Sequence, residues 1–397
     1  MTRPRMSERR TTIIGALLTA IGPISMAIYT PAMPELVHAF HTTDSAIKLS
    51  LSIYFGGFAV AQLLAGAMSD AFGRRKATLA FLLVYFAGSL LAAFAPTVEV
   101  LLAGRLVQGI GASVGVTVAR AVVRDQFIGN EASRIMNMIG IMLAIGPAAG
   151  PTIGGLALAA FGWQSLFFFM VGFGLITATA VGLFMRETTV PDRNRARPKQ
   201  LVGAYWTLLF DRRFVFASLV LGGTAGAVYA QATMLPFIMI NRAGLTPTQF
   251  GASMLMQTGS YFVGSVCLRV IAARLGGKRS VALGLCFCLA GGTMIAASTL
   301  LLAPSLLSIM LPVGICTFGI AFIIPHITTA GLAPFPTIAG SASALMGFIQ
   351  MGAGFLGGVA AAAIGDPLLA FGAIIPAMEL MAVLSYVAFV RANRTQA

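Results

Sequence analysis

Hydrophobic residues run through this chain in long stretches, broken by short groups of charged residues or by glycine and proline. Twelve such stretches can be marked, at about 12–33, 46–68, 77–96, 98–120, 136–158, 163–185, 214–240, 249–271, 280–302, 305–327, 340–364 and 367–390. Each is close to the ~20 residues that an α-helix needs to cross the hydrocarbon layer of a bilayer. Membrane strands would be about ten residues long with alternating polarity. The pattern therefore predicts an all-α membrane protein with twelve transmembrane helices. The tightest turns fall between the third and fourth stretches and between the eleventh and twelfth.

The charged residues between the stretches predict orientation. With both termini inside, the inside segments are 1–11, 69–76, 121–135, 186–213, 272–279, 328–339 and 391–397, and nearly all Lys and Arg then lie inside or at inner helix ends. By the positive-inside rule these segments, and both termini, belong in the cytoplasm. The opposite loops keep only Lys48 and Arg242, while Arg105 lies within a span. Arg3, Arg5, Arg9 and Arg10 precede a first stretch too long for the apolar core of a cleavable signal, so it is expected to be a retained span.

The longest polar segment, 186–213, contains Arg193, Arg195, Arg197, Lys199, Pro191 and Pro198. It is expected to be a basic cytoplasmic linker, a solvated tether between an N-terminal six-helix bundle (1–185) and a C-terminal one (214–397). Gly73-Arg74-Arg75-Lys76 follows the second stretch, and Gly276-Gly277-Lys278-Arg279 follows the eighth. Matching basic loops at matching places predict two pseudo-symmetric halves of a duplicated transporter.

Composition narrows the class. Of 397 residues, 58% are hydrophobic and 10% charged, against roughly 45–50% and about 25% in soluble proteins. So few charges cannot cover a soluble domain, and such apolarity excludes disorder. The net charge of +14 comes in short bursts between apolar runs, so it reports topology, and no nucleic-acid partner is expected. Cys267, Cys286, Cys288 and Cys316 all lie in apolar runs and are expected to be small buried hydrophobes, with neither metal nor disulfide roles. Three histidines and one deeply placed carboxylate argue against a membrane-embedded enzyme. No cofactor is expected beyond a proton gradient as energy source.

The most specific local feature is Gly66-Ala67-Met68-Ser69-Asp70-Ala71-Phe72-Gly73-Arg74-Arg75-Lys76. Gly73 permits a tight turn between two spans, and Asp70 closes one helix where Arg74 and Arg75 can pair with it. Here the chain resembles the major facilitator superfamily, whose signature loop between spans two and three has this pattern. The resemblance implies a twelve-helix bundle in two halves, with Asp70, Gly73, Arg74 and Arg75 as a cytoplasmic gate closed in the outward-facing state.

Within the fourth span, Arg105 and Gln108 are one turn apart. An intramembrane Arg costs about 2.5–3.5 kcal/mol on insertion scales, so it should face a polar cavity or find acceptors. This stretch resembles the superfamily's fourth-span motif, which implies a role in proton coupling. Gly146-Pro147-Ala148-Ala149-Gly150-Pro151-Thr152-Ile153-Gly154-Gly155 holds two prolines and four glycines, which in a bundle permit a kink and close helix contact. It resembles the antiporter motif of exporters, which implies that Gly146, Pro147, Gly150, Pro151, Gly154 and Gly155 seal the cavity against leakage.

Tyr29-Thr30-Pro31-Ala32-Met33-Pro34-Glu35, Ala119-Arg120-Ala121-Val122-Val123-Arg124-Asp125, Ser52-Ile53-Tyr54 and Gln62 resemble the Bcr/CflA-type, bicyclomycin-resistance branch of twelve-span drug:proton antiporters. Many members carry an acid two positions before the Tyr, where this chain has Ala27. Among the twelve acids only Glu379 lies well inside a span, expected to have a structural role. Glu35, near an outer mouth, is the first candidate for proton uptake, and His326 is a further titratable group in the tenth span.

Candidate substrate contacts are Tyr29, Tyr54 and Gln62 in the first half, Met142 in the fifth span, and Tyr229, Gln231, Gln257, Tyr261 and Gln350 in the second half. Met26, Met138, Met234 and Met346 add a soft, adaptable wall. A cavity this apolar suits lipophilic or amphipathic substrates. The expected protein is a monomeric multidrug exporter of the bacterial inner membrane, exchanging small molecules for protons and surrounded by lipid. A dedicated exporter of an endogenous metabolite, such as a siderophore or amino-acid derivative, and a weakly coupled facilitator both stay open.

Overall fold

The computed structural model describes residues 6–192 and 197–394, excepting the side chains of 133, 141–145, 198, 272, 273 and 394. The first helix, α1 (Glu8–Ala27), begins where the Ser7 side chain accepts from the Arg10 amide. A 3-10 turn, Thr30–Ala32, leads to the short α2 (Met33–Ala39). Helix α3 (Asp44–Phe72), capped by Thr43, ends at Gly73 with φ +94°, a left-handed conformation that lets α4 (Arg74–Ala93) start at once. The fourth predicted span is divided near Ser113 into α5 (Val98–Ala112) and α6 (Val114–Gln126).

Helices α7 (Gly129–Phe161) and α8 (Gln164–Phe184) complete the segment before the linker. After it come α10 (Arg212–Ala232) with a π-helical extension, Phe237–Arg242, and α11 (Pro247–Leu301). Helix α11 takes in the eighth and ninth predicted spans, broken only at Gly276 with φ +68°. Helices α12 (Leu306–Leu332), α13 (Ala339–Ile364) and α14 (Pro367–Arg394) follow.

Ten helical segments among the described residues are long and apolar enough to cross a membrane. The other two predicted spans, 136–158 and 249–271, fall within α7 and the first part of α11. The linker departs from expectation. Instead of a uniformly solvated tether, it contains α9 (Pro198–Phe210), with Leu208 buried and the Tyr205 hydroxyl donating to the Leu63 carbonyl at 2.5 Å. Pro at the helix start and the apolar run Leu201–Phe210 account for the helix, which the flanking arginines masked.

Helix α3 packs on α5, and α1 on α6 and α7, while α10 packs on α13 and α14. Two further pairings, α3 with α13 and α7 with α11, join the helices before α9 to those after it. They set the shape of the interior. One end of the bundle carries the basic loops and is called the basic end below; the other is the far end.

Candidate functional site

Helices α3 and α13 lie together from the far end inward. The Ser45 hydroxyl donates to the Ala362 carbonyl at 2.8 Å, a Cβ on Gly56 would sit 3.1 Å from Phe355, and one on Gly347 would sit 2.6 Å from Gln62. Below Gln62 the helices part. Leu63, Gly66 and Asp70 on one side and Ile338, Ser341 and Ala344 on the other line a cleft of about 540 Å³ at the basic end.

Helices α7 and α11 repeat this arrangement. A Cβ on Gly155 would sit 2.6 Å from the Pro247 carbonyl oxygen, and Gly251 meets the Pro151 backbone. Beneath that contact lies a cavity of about 290 Å³, between α1 and α7 on one side and α10, α11 and α12 on the other. Its wall includes Met26, Thr30, Pro147, Tyr229, Gln257 and Tyr261. The bundle is closed at the far end and parted toward the basic end.

The glycines of α7 explain the closure. Gly146, Gly150 and Gly154 recur every four residues and form a ridge against α1. Added methyl groups on Gly146 and Gly150 would stand 2.9 Å from the Pro23 Cβ and 2.7 Å from the Ala27 Cβ, and one on Gly154 would meet the Ile28 carbonyl. Small residues thus let two backbones approach where side chains would hold them apart. Pro147 and Pro151 line the cavity on the same helix.

Arg105 is wholly buried in the N-terminal half. Its guanidinium carbon lies 4.3 Å from the centre of the Tyr29 ring and 4.4 Å from that of Tyr54. It donates to the Gln108 side-chain oxygen and, at 3.4 Å, to the Ser25 carbonyl. Gln108 passes the network on to the Ser89 hydroxyl at 2.8 Å. Tyr85 and Ser25 share a hydrogen bond at 2.6 Å, and Tyr29 and Ser50 share one at 2.5 Å. The Arg105 Nε and one terminal nitrogen have no hydrogen-bond partner among the described residues. Aromatic faces stand where a carboxylate would ordinarily neutralise the cation.

At the basic end, Arg74 is buried and pairs with Asp70, with Asp125 at 3.0 Å and with the Ser69 hydroxyl at 2.7 Å. The Glu187 carboxylate accepts from the Arg74 amide at 2.7 Å and the Arg75 amide at 3.2 Å, while the Arg75 side chain donates to the Gly182 carbonyl. Thr188 donates to Asp125 at 2.9 Å. The cluster therefore ties α3, α4, α6 and the chain after α8 together. The side-chain partners of Arg74, Ser69, Asp70 and Asp125, all lie before the linker, and Glu187 at its start holds the Arg74 amide.

Several sequence candidates sit elsewhere than expected. Tyr29 and Tyr54 surround Arg105 and do not line the cavity, because their hydroxyls are engaged by Ser50 and by the Gly22 carbonyl. Gln62 and Gln350 lie at helix contacts, Gln62 against Gly347 and the Gln350 backbone against Gly226. Gln231 joins Tyr229, Gln257 and Tyr261 in the cavity wall. The Met142 side chain lies outside the described residues. Met234 and Met346 are buried in packing, and Met138 is exposed. Glu35 is exposed on α2 and is not among the groups that act on Arg105. His326 packs against Gly277.

Glu379 is fully buried on α14, beside Cys288, Cys316 and Gly292, with the Cys288 thiol as the hydrogen-bonding group set against its carboxyl among the described residues. Sequence reasoning missed the role of Lys48. It is wholly buried and donates across to the end of α13. The available signal was a base one turn inside an apolar stretch at the end where bases are scarce. Arg242, the other such base, pairs with Asp366 at 2.8 Å.

The sequence profile described as Major Facilitator Superfamily matches residues 6–358. A chloramphenicol resistance protein of Pseudomonas aeruginosa is 29% identical over 364 residues, covering 89% of this chain and 84% of that protein. Multidrug resistance protein D of Escherichia coli (strain K12) is 25% identical over 349 residues, covering 87% and 86%. Among solved structures, a bacterial homologue of the human lysosomal transporter Spinster superposes with a TM-score of 0.73 at 14% identity, covering 98% of this chain and 97% of that one.

Proposed function

Because this chain belongs to the major facilitator superfamily, and is a secondary transporter and not an enzyme, we propose that it exports lipophilic or amphipathic small molecules in exchange for protons. The observation that carries this reading is the glycine ridge of α7 packed on α1, with the Gly155–Pro247 contact above an apolar cavity. A seal of this kind keeps protons and cargo from crossing together when the far end is shut. The relatives named for chloramphenicol and multidrug resistance favour the same class of cargo.

On this reading the basic end faces the cytoplasm of a bacterial cell, with both termini on that side, and the far end faces outward. The arrangement is then inward-facing. Asp70, Gly73, Arg74 and Arg75 form the inner gate's hinge, held by Asp125 and Glu187. Tyr229, Gln231, Gln257 and Tyr261 contact cargo directly. The first-half candidates act one layer back, with Tyr29 and Tyr54 holding Arg105 in place and Gln108 linking it to Ser89. The motifs around Tyr29–Glu35 and Ala119–Asp125 favour the bicyclomycin-resistance branch, and on this reading the protein works as a monomer.

A second reading, a weakly coupled facilitator, draws on one observation. Ala27 stands where many members of the branch this chain resembles carry an acid, it packs on Gly150, and no carboxylate contacts Arg105 among the described residues. A growth panel with unrelated toxic compounds tests the cargo class. Protection against several supports multidrug export, and protection against none supports a dedicated exporter.

A further inference from the structure

The last carbonyls of an α-helix have no partners within the helix and carry its partial negative charge. At the end of α13 the Ala361 carbonyl accepts the Gly365 amide at 3.3 Å and the Ile364 carbonyl the Asp366 amide at 3.1 Å, and further donors come from another part of the chain. Gly365, at φ +84°, turns the backbone out of the helix after Ile364. The Lys48 ammonium, more than three hundred residues earlier on α3, donates to the Ala361 carbonyl at 3.3 Å and to the Gly365 carbonyl. Ser45, one turn before it, donates to the Ala362 carbonyl at 2.8 Å.

The Lys48 side chain is shielded from solvent, while Ser45, Ala362 and Gly365 around it are half-buried. Lys48 is wholly buried, and its nitrogen lies 5.9 Å from the centre of the Phe237 ring. The charged groups facing it are Asp44, on its own helix, and Asp366, after α13. Asp366 is already committed. It pairs with Arg242 at 2.8 Å and accepts from the Leu368 and Leu369 amides at 2.9 Å. What Lys48 uniquely supplies is a positive charge at the negative pole of a helix in the opposite half.

We propose that Lys48, with Ser45, is the lock of the far gate: its ammonium caps the C-terminus of α13 and holds α3 and α13 together whenever the transporter is closed on that side. The inference rests on the transport cycle proposed above, in which α3 and α13 part at this end to release cargo. A lock of this chemistry is reversible. As the gate opens, water replaces the carbonyls around the ammonium while the helix end is hydrated too. An apolar side chain of similar length would fill the space without the cap. Arginine keeps the charge and donors.

The test uses the Ser52→Cys protein in intact cells, treated from outside with a membrane-impermeant thiol reagent. Ser52 is wholly buried beneath the lock, against Gly358, so its labelling reports opening of the far gate. Protein with Ser52 unchanged sets the background from the four native cysteines. Adding Lys48→Met should raise the labelling rate by about threefold or more, the scale of losing a charged helix cap. Lys48→Arg should stay within about twofold of the parent. Unchanged labelling in folded Lys48→Met protein overturns the proposal.

If Lys48→Met does not accumulate, Ser45→Ala removes the neutral cap alone and should raise labelling by a smaller factor, about twofold. No rise there overturns the proposal as well. Labelling reads the gate and not the cargo or the proton. A lock that fails while export persists, and a lock that holds while export is absent, are therefore separate results.

Discussion

The guanidinium carbon of Arg105 lies 4.3 Å above the ring centre of Tyr29, and among the described residues its charged and polar surroundings consist of tyrosines, Gln108 and a backbone carbonyl. A cation buried this way depends on ring faces for part of its stabilisation. Tyr29→Phe keeps the face and loses the hydrogen bond to Ser50, a cost of about 1 kcal/mol. Tyr29→Leu loses the face as well, for about 1–2 kcal/mol more. Thermal unfolding of the purified variants measures the difference. Equal losses would mean that the ring face contributes nothing.

Arg74 reaches two carboxylates, Asp70 and Asp125, from a buried position. Asp125→Asn should destabilise by about 1–3 kcal/mol, since the guanidinium keeps its burial and loses half its counter-charge. Pairing Asp125→Asn with Arg74→Gln should cost clearly less than the sum of the two single changes. A double-mutant cycle on melting checks this, and strict additivity would contradict it.

The ridge on α7 makes a prediction with an internal control. Gly150→Leu must push α7 away from Ala27, at a cost of about 1–3 kcal/mol. It should also let protons leak through protein-containing vesicles that otherwise hold a gradient. Gly172 on α8 has nothing within 4 Å of an added methyl, so Gly172→Ala should be silent or stabilising by up to about 1 kcal/mol. A tight Gly150→Leu protein would count against the seal.

Glu379 is a buried carboxyl with no charged partner among the described residues and the Cys288 thiol beside it. If its role is structural, Glu379→Met should be neutral or stabilising by about 1–4 kcal/mol, as apolar replacements of buried ionisable groups often are. The pH dependence of export should then be unchanged. Loss of that dependence with the fold intact would assign proton transfer to this side chain instead.

The span pattern was readable because a bilayer requires long apolar helices. The extent of α3, α8 and α13 follows almost directly from runs of apolar residues. The loop from Gly66 to Lys76 was readable because its glycine and charges sit close in sequence. What escaped were contacts across the chain. Helical periodicity gives the face on which Tyr54 or Gln62 lies but not which distant helix covers it, so both were expected in the cavity and both sit in contacts. Lys48 escaped for the same reason, since its acceptors belong to α13. The helix from Pro198 to Phe210 escaped because the prolines and arginines around it read as tether.

The central claim is that proton movement drives export. Purified protein in vesicles, loaded with a lipophilic cation or neutral amphipath and given or denied an imposed pH gradient, tests it most directly. The account predicts transport accelerated by the gradient, and this acceleration lost in Arg105→Gln protein that still folds. Equal rates with and without the gradient would contradict proton exchange and leave a facilitator.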